Sequence, residues 1–308
     1  MKMFTILSIT LMVLFALIAV AFITLLERKI LGYMQIRIGP NKVGTLGILQ
    51  PMSDAVKLYT KEMNWPKYSN SLTFFFSPCL SLTLALFIWI TLPFMNMFLW
   101  MNLSILLFLS ILGLGVYPII MAGWSSNSSY SLIGSMRALA QTISYEVSLI
   151  FIILSNMIMV SSLSFMKLIW FQKSFMFFLF FLPFLLWIIS IIAELNRTPF
   201  DFAEGESELV SGFNTEYSSG NFAIIFMAEY MMILFFSSLT AMLYMSTKNM
   251  NFFMIVFPMM FMFIIIWTRA TLPRYRYDKL MYLCWKVILP LSTFNLFFSV
   301  MMSILMNF

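Results

Sequence analysis

The stretch MFTILSITLMVLFALIAVAFITLL, residues 3–26, holds no charged side chain and ends abruptly at Glu27-Arg28-Lys29. At about 1.5 Å of rise per residue, a helix of this length slightly exceeds the roughly 30 Å of hydrocarbon in a bilayer. Lys2 before the run and Ala19-Val20-Ala21 within it imitate a signal peptide. The run is too long for the apolar region of such a peptide, however, and continues past the small residues, so it reads as a retained first membrane span. The rest of the chain has the same character. It is 62% hydrophobic and 10% charged, against about 45–50% and about 25% in an ordinary globular domain.

Outward from this first run, charges punctuate further apolar stretches. The expected spans are about 3–26, 72–92, 98–121, 138–160, 174–194, 219–245, 250–268 and 282–305, with Pro93 and Asn96 marking the turn between the second and third. The stretches are continuous rather than alternating, which favours helices over a barrel. The expected fold is all-α: a polytopic integral membrane protein of about eight transmembrane helices, one transmembrane domain over 1–308. The loops 27–71, 122–137, 195–218 and 269–281 are the ones expected to carry function. An amphipathic helix is expected at 48–63, where Ile48, Met52, Val56, Tyr59 and Met63 form one stripe and Pro51 falls in the first turn. Such a helix can lie in the membrane interface or pack on a partner protein.

Eight spans place both termini on one side. Of the 18 lysines and arginines, only Lys2, Lys167, Lys173 and Lys248 fall on that side. The positive-inside rule therefore makes the opposite side the inner one. The acids are as lopsided: Glu146 and Glu229 lie within spans, and every other acid is on the inner side. The net charge of +6 consists of topology markers near membrane ends rather than one basic face, which argues against nucleic acid.

Cys79 and Cys284 lie far apart, without metal-site or cluster spacing, and there is no histidine. Haem, copper and non-haem iron centres lose their usual ligand. No Gly-x-Gly-x-x-Gly or Walker A pattern occurs, so no flavin, haem, iron–sulfur cluster, metal or nucleotide is expected on this chain. Proton chemistry falls to the carboxylates. Glu146 and Glu229 would each stand roughly 13–15 Å into a span, where ionisable groups are rare and often mark a proton or ion path. The alternative is a structural carboxylate satisfied by a neighbouring helix.

The stretch from Ala193 reads AELNRTPFDFAEGESE and gathers Glu194, Asp201, Glu204, Glu206 and Glu208 around one arginine, Arg197. A charge run is usually a solvated loop. The interleaved Phe200, Phe202, Leu209 and Phe213 instead favour a cluster tucked against the membrane domain or a partner. The basic, aromatic segment 269–279 has the charge to pair with these acids, or serves only as an anchor at the membrane surface. The polar run Trp124 to Tyr130 leads to Arg137.

Stretches 27–44, 50–58, 123–149, 193–230 and 269–286 closely resemble, in order and spacing, the chain 1 family of NADH–ubiquinone oxidoreductase, the quinone-site membrane subunits of respiratory complex I. Leu195 departs from the threonine usual there in the family. The resemblance implies a ubiquinone chamber formed against peripheral-arm subunits that carry flavin and iron–sulfur clusters. It implies Arg28, Arg37, Asp54, Phe226 and Met227 at the quinone entrance and tunnel. An acidic path toward proton-pumping membrane-arm subunits would use Glu146, Glu194, Asp201, Glu204, Glu206, Glu208, Glu216 and Glu229, with Arg137, Arg197 and Arg276 as counter-charge. It also implies a multi-pass location in the mitochondrial inner membrane, among lipid and the other complex I subunits; the Met- and Phe-rich usage resembles an animal mitochondrial gene. Alternatives left open by the residues are a stand-alone proton or cation transporter, a non-catalytic anchor, and the membrane subunit of a related hydrogenase-type complex.

Overall fold

A computed structural model describes residues 2–93, 101–172, 176–245 and 253–306. Asn96, Lys173, Lys248 and the first residues of the third, fifth and seventh expected spans lie outside them, as does the side chain of Glu206. The described residues contain helices and no strand.

In chain order the helices are α1 (Lys2–Met34), α2 (Gln50–Thr60), α3 (Ser71–Phe87), α4 (Ser104–Leu114), α5 (Val116–Ser125), α6 (Ser129–Val160) and α7 (Phe165–Phe171). They continue as α8 (Met176–Leu179), α9 (Phe181–Glu194), α10 (Glu206–Leu209), α11 (Ser219–Tyr244), α12 (Phe253–Thr271), α13 (Tyr277–Leu283) and α14 (Leu289–Met306). Among the described residues, six segments are long and apolar enough to cross a membrane: Ile6–Met34, Ser71–Thr91, Ser104–Ser125, Ser129–Val160, Ser219–Tyr244 and Tyr277–Leu305. Phe181–Glu194 and Ile255–Thr271 are shorter apolar helices. The protein is thus an all-α polytopic membrane protein.

The packing inverts that of a water-soluble bundle. Phe15, Phe297 and Leu305 point outward, while Ser148, Ser155, Ser190, Ser292 and Ser299 are buried. Each of these serines donates to a carbonyl of its own helix, such as Ser155 to Ile152 O at 2.7 Å and Ser190 to Trp187 O at 2.8 Å. A small side chain with its hydroxyl satisfied locally lets helices approach closely where lipid gives no hydrophobic drive. Helix α6 packs on α14, α5 and α9, and α11 packs on α12, α3 and α1. Trp187, Tyr145, Phe108, Phe235 and Phe236 fill the space between these two groups.

Some boundaries differ from the sequence expectation. The connection before the fourth span shrinks to residues 126–128, and Arg137 stands two turns inside α6. The stretch 129–135 looked loop-like, but its small Ser131, Gly134 and Ser135 are buried and pack. A Cβ on Gly134 would meet Phe213 N at 2.9 Å, and one on Gly123 would meet Ser135 Oγ at 2.2 Å. The amphipathic helix is shorter than 48–63: Pro51 enters its first turn, and Lys61 turns extended after Thr60. It leans on α1 and α11, leaving Met52, Val56 and Tyr59 exposed.

Candidate functional site

The inner ends of α1, α9, α11 and α12 meet at a charge cluster. Glu27, buried one residue beyond the uncharged run, accepts from the guanidinium of Arg269 and lies 3.5 Å from that of Arg197. Arg197 also stacks over the Tyr230 ring, 4.8 Å from its centroid. Burial alone would lower the Arg197 pKa; the facing Glu27 carboxylate, with Tyr230, Glu229 and Glu204, more than reverses this, so the pKa is raised and the guanidinium stays charged. On α11 an aromatic ladder leads to this cluster, with Phe222–Phe226 centroids at 4.3 Å and Phe226–Tyr230 at 6.4 Å. Met227 packs beside it against the core.

The acidic connection 195–218 is folded inward. Phe200, Phe202, Leu209 and Phe213 are buried. Asp201 Oδ1 accepts from Glu204 N at 3.3 Å, and Asn214 donates to Glu204 Oε1 at 3.3 Å. Segment 269–278 lies across it: Tyr275 N donates to Pro199 O at 3.0 Å, Thr198 Oγ1 donates to Arg269 O at 3.3 Å, and the Arg274 guanidinium sits 5.4 Å over Phe202. Gly205 is needed here, because a Cβ on it would come within 2.6 Å of the Arg274 side chain, and its φ is +43°. From α6, the fully buried Gln141 reaches across and donates from Nε2 to Ala193 O at 2.7 Å and to Phe200 O at 2.9 Å. That single amide ties both ends of the turn carrying Glu194 and Arg197.

Between α3, α5, α6 and α11 lies a cavity of about 140 Å³. Its walls are largely apolar, yet Glu194, Glu204, Glu229 and Arg197 all reach it, beside Thr142 and Phe213. Glu146 is near enough to Glu194, and Glu204 and Asp201 to Glu229, for their charges to interact. Residues far apart in sequence therefore form one acidic group facing a buried arginine. Such a group can hold, share and pass protons, because adding or removing one charge changes the field at every other member.

The remaining candidate residues are distributed around this centre. Arg28 pairs with Asp54 at 2.5 Å, bridging α1 and α2, and Gln50 donates to Asp54 at 3.0 Å. Arg37 is exposed beyond α1, with no ion pair among the described residues. Arg137 pairs with Glu208 at 2.6 Å, and this hydrogen bond holds the carboxyl of Glu208 below its ordinary pKa. Arg276 pairs with Asp278 at 3.0 Å, so its counter-charge reaches the acidic loop only through space, at Glu208. Glu216 is partly buried before Tyr217, whose ring stacks on Phe74 at 4.2 Å. No group of three or more metal-ligating side chains occurs among the described residues.

The model of the family described as NADH dehydrogenase matches residues 7–300. The protein named NADH-ubiquinone oxidoreductase chain 1 of Anopheles gambiae is 54% identical over 291 residues, covering 94% of this chain and 93% of that one. The proteins of the same name from Locusta migratoria and Phascolarctos cinereus are 49% and 50% identical, over 97% and 90% of this chain and 96% and 89% of theirs. The chain belongs to the NADH–ubiquinone oxidoreductase chain 1 family.

It is thus a subunit of an oxidoreductase complex, and its membrane-embedded acids belong to an enzyme built from several chains. Sequence reasoning did not single out Glu27, Tyr230 or Gln141, and gave Arg269 only within the segment 269–279 that could pair with the acids or anchor the chain. Glu27 stood only as one of the inner-side acids, and only the packing of α1 on α12 joins it to Arg269. Gln141 offered one signal, an uncharged amide among residues that α6 buries, since such a group needs partners.

Proposed function

We propose that this chain forms the membrane-embedded part of a ubiquinone chamber in mitochondrial complex I and couples quinone reduction to proton translocation. Ubiquinone is the substrate. Reducing it to the quinol takes two electrons and two protons; the electrons come from a cluster in a peripheral-arm partner, and this chain binds no flavin, haem, iron–sulfur cluster or metal. Phe226, Met227, Arg28, Arg37 and Asp54 line the way in from the lipid of the inner membrane. Each proton drawn toward the chamber leaves negative charge among Asp201, Glu204, Glu206, Glu208 and Glu216. Glu194 and Glu229 share the cavity with Glu204 and respond to that charge, and Glu146 passes the response toward the membrane-arm subunits. Arg197, held charged by Glu27, sets the field in which these carboxylates exchange protons, while Arg137 and Arg276 steady the rim.

The observation that supports this most is the cavity in which Glu194, Glu204 and Glu229 face Arg197. A Glu229→Gln substitution in the assembled complex tests it. NADH-driven quinone reduction and proton pumping should fall by about tenfold or more, while reduction of a hydrophilic acceptor by the peripheral arm stays unchanged. Pumping at full rate and stoichiometry would remove Glu229 from the path.

A further inference from the structure

The start of the last membrane segment carries a feature that the quinone chemistry does not use. Lys279, Tyr282 and Lys286 follow at i, i+3 and i+7 and are all exposed, as is Trp285 beside them. A π-helical turn at Cys284–Ile288 widens the helix there, and the Lys286 ammonium lies 4.2 Å from the Tyr282 ring centroid. From Val287 to Met306 no charged residue occurs. At about 1.5 Å per residue that run covers about 30 Å, the thickness of the hydrocarbon core. Lys286 therefore stands at the inner boundary of the hydrocarbon, with Tyr282 and Lys279 one and two turns further out among the headgroups. No acid balances these lysines. Asp278 is the only acid after Glu229, and it faces Arg276 at 3.0 Å. Among the described residues neither lysine has an ion pair.

We propose that this face binds the phosphate headgroup of an anionic phospholipid of the inner leaflet. Lys286 and Lys279 hold the phosphate oxygens, Tyr282 and Trp285 flank the glycerol region, and the acyl chains lie along the exposed Val287, Leu291 and Phe294. Charge complementarity selects the occupant. Two unbalanced cations at headgroup depth attract an anionic lipid and give a zwitterionic one no net advantage. The site is separate from the acidic cavity, so its test does not depend on the quinone proposal.

Photoactivatable phosphatidylglycerol and phosphatidylcholine, each carrying the reactive group near the glycerol, are introduced into vesicles of native membrane. The intact complex is then isolated, and labelling of the peptide containing residues 277–289 is measured by mass spectrometry. The anionic probe should label it about fivefold or more above the zwitterionic one. Lys279→Gln with Lys286→Gln should abolish the excess, and Lys279→Arg with Lys286→Arg should keep it. Equal labelling by both probes overturns the headgroup site and leaves ordinary lipid contact. Labelling by neither shows that a partner chain covers the face, which also overturns it. An excess that survives the double glutamine variant does the same. If that variant does not assemble, the two-probe comparison on the unaltered complex still decides.

Discussion

The two long inner-side connections, 35–70 and 195–218, face opposite ways. In the first, Ile36 is 98% exposed, Ile38 75% and Leu46 67%; in the second, Phe202 is 1% exposed and Phe213 6%. The first is tied down mainly at its rim, by the Arg28–Asp54 pair and by Lys29 donating to Leu46 O at 2.7 Å. The second is gripped from four sides, by α6 through Gln141, by segment 269–278, by Asn214 within the connection, and by Glu27 through Arg197. Half-burying Asp201, Glu204 and Glu216 demands that grip, because a carboxylate drawn out of water must find donors or opposite charge. Leaving several large apolar side chains in water on one segment marks a surface built to be covered. The difference separates a region packed by its own chain from one that this chain by itself leaves uncovered.

The comparison breaks most visibly at Gly212. Its φ is +58°, and a Cβ there would sit 1.8 Å from Ala203 O. A Gly212→Val substitution cannot keep the inward fold of 195–218 and should cost about 4 kcal/mol or more, the exceptional range for a single change. The expected outcome is loss of the assembled complex on a native gel. Gly113→Ala in α4 is the matched control, because a Cβ there meets nothing within 4 Å. Normal amounts of active Gly212→Val complex would mean that the connection is looser than its burial indicates.

This contrast also shows what one dimension of sequence carries. The membrane fold was legible because 3–26 and its successors satisfy a length and charge criterion that few other structures share. The short helix α2 was legible from its apolar stripe and from Pro51 at its start. Phe200, Phe202 and Phe213, interleaved with the acids, correctly signalled an acidic segment that is not merely solvated. The ion pairs at Glu27 were not legible, because they join residues 170 and 242 positions apart. Periodicity says which face of a helix is apolar, not which neighbour it meets. The resemblance implied Arg276 as counter-charge to the acids; it pairs with Asp278 beside it and acts on Glu208 through space. The start of α6 was hidden for a related reason: serine and glycine at 129–135 read as loop, while their small size is what permits close helix packing.

A second, smaller effect is expected at Gln141. Leucine there fills similar space but withdraws both donated hydrogen bonds, leaving Ala193 O with Asn196 N and Phe200 O with Phe202 N as their remaining donors. Each lost hydrogen bond costs about 0.5–1.5 kcal/mol. Gln141→Leu should therefore assemble in reduced amount and lose quinone reductase activity at a clearly lower temperature than the unaltered complex. Gln141→Glu should behave alike, since a carboxylate accepts where a donor is needed. An unchanged inactivation temperature in both variants would show that water replaces the amide, and the second connection would then resemble the first.

The smallest effect belongs to Arg28 and Asp54, and it is the one that sharpens the comparison. Their side chains are 53% and 33% exposed in the chain by itself. A pair at that exposure contributes about 0–1 kcal/mol and weakens as salt rises. A double-mutant cycle with Arg28→Gln and Asp54→Asn, read as the thermal inactivation midpoint of the purified complex at low and high salt, measures the coupling directly. A small, salt-sensitive coupling means that the rim of the first connection stays wet even when the apolar residues beyond it are covered. A coupling above about 2 kcal/mol that salt does not touch belongs to a dry pair. It would show that the covering chain reaches past Ile36 and Ile38 to the junction of α1 and α2. Both connections would then be buried in the complex, one by its own chain and the other by its partner.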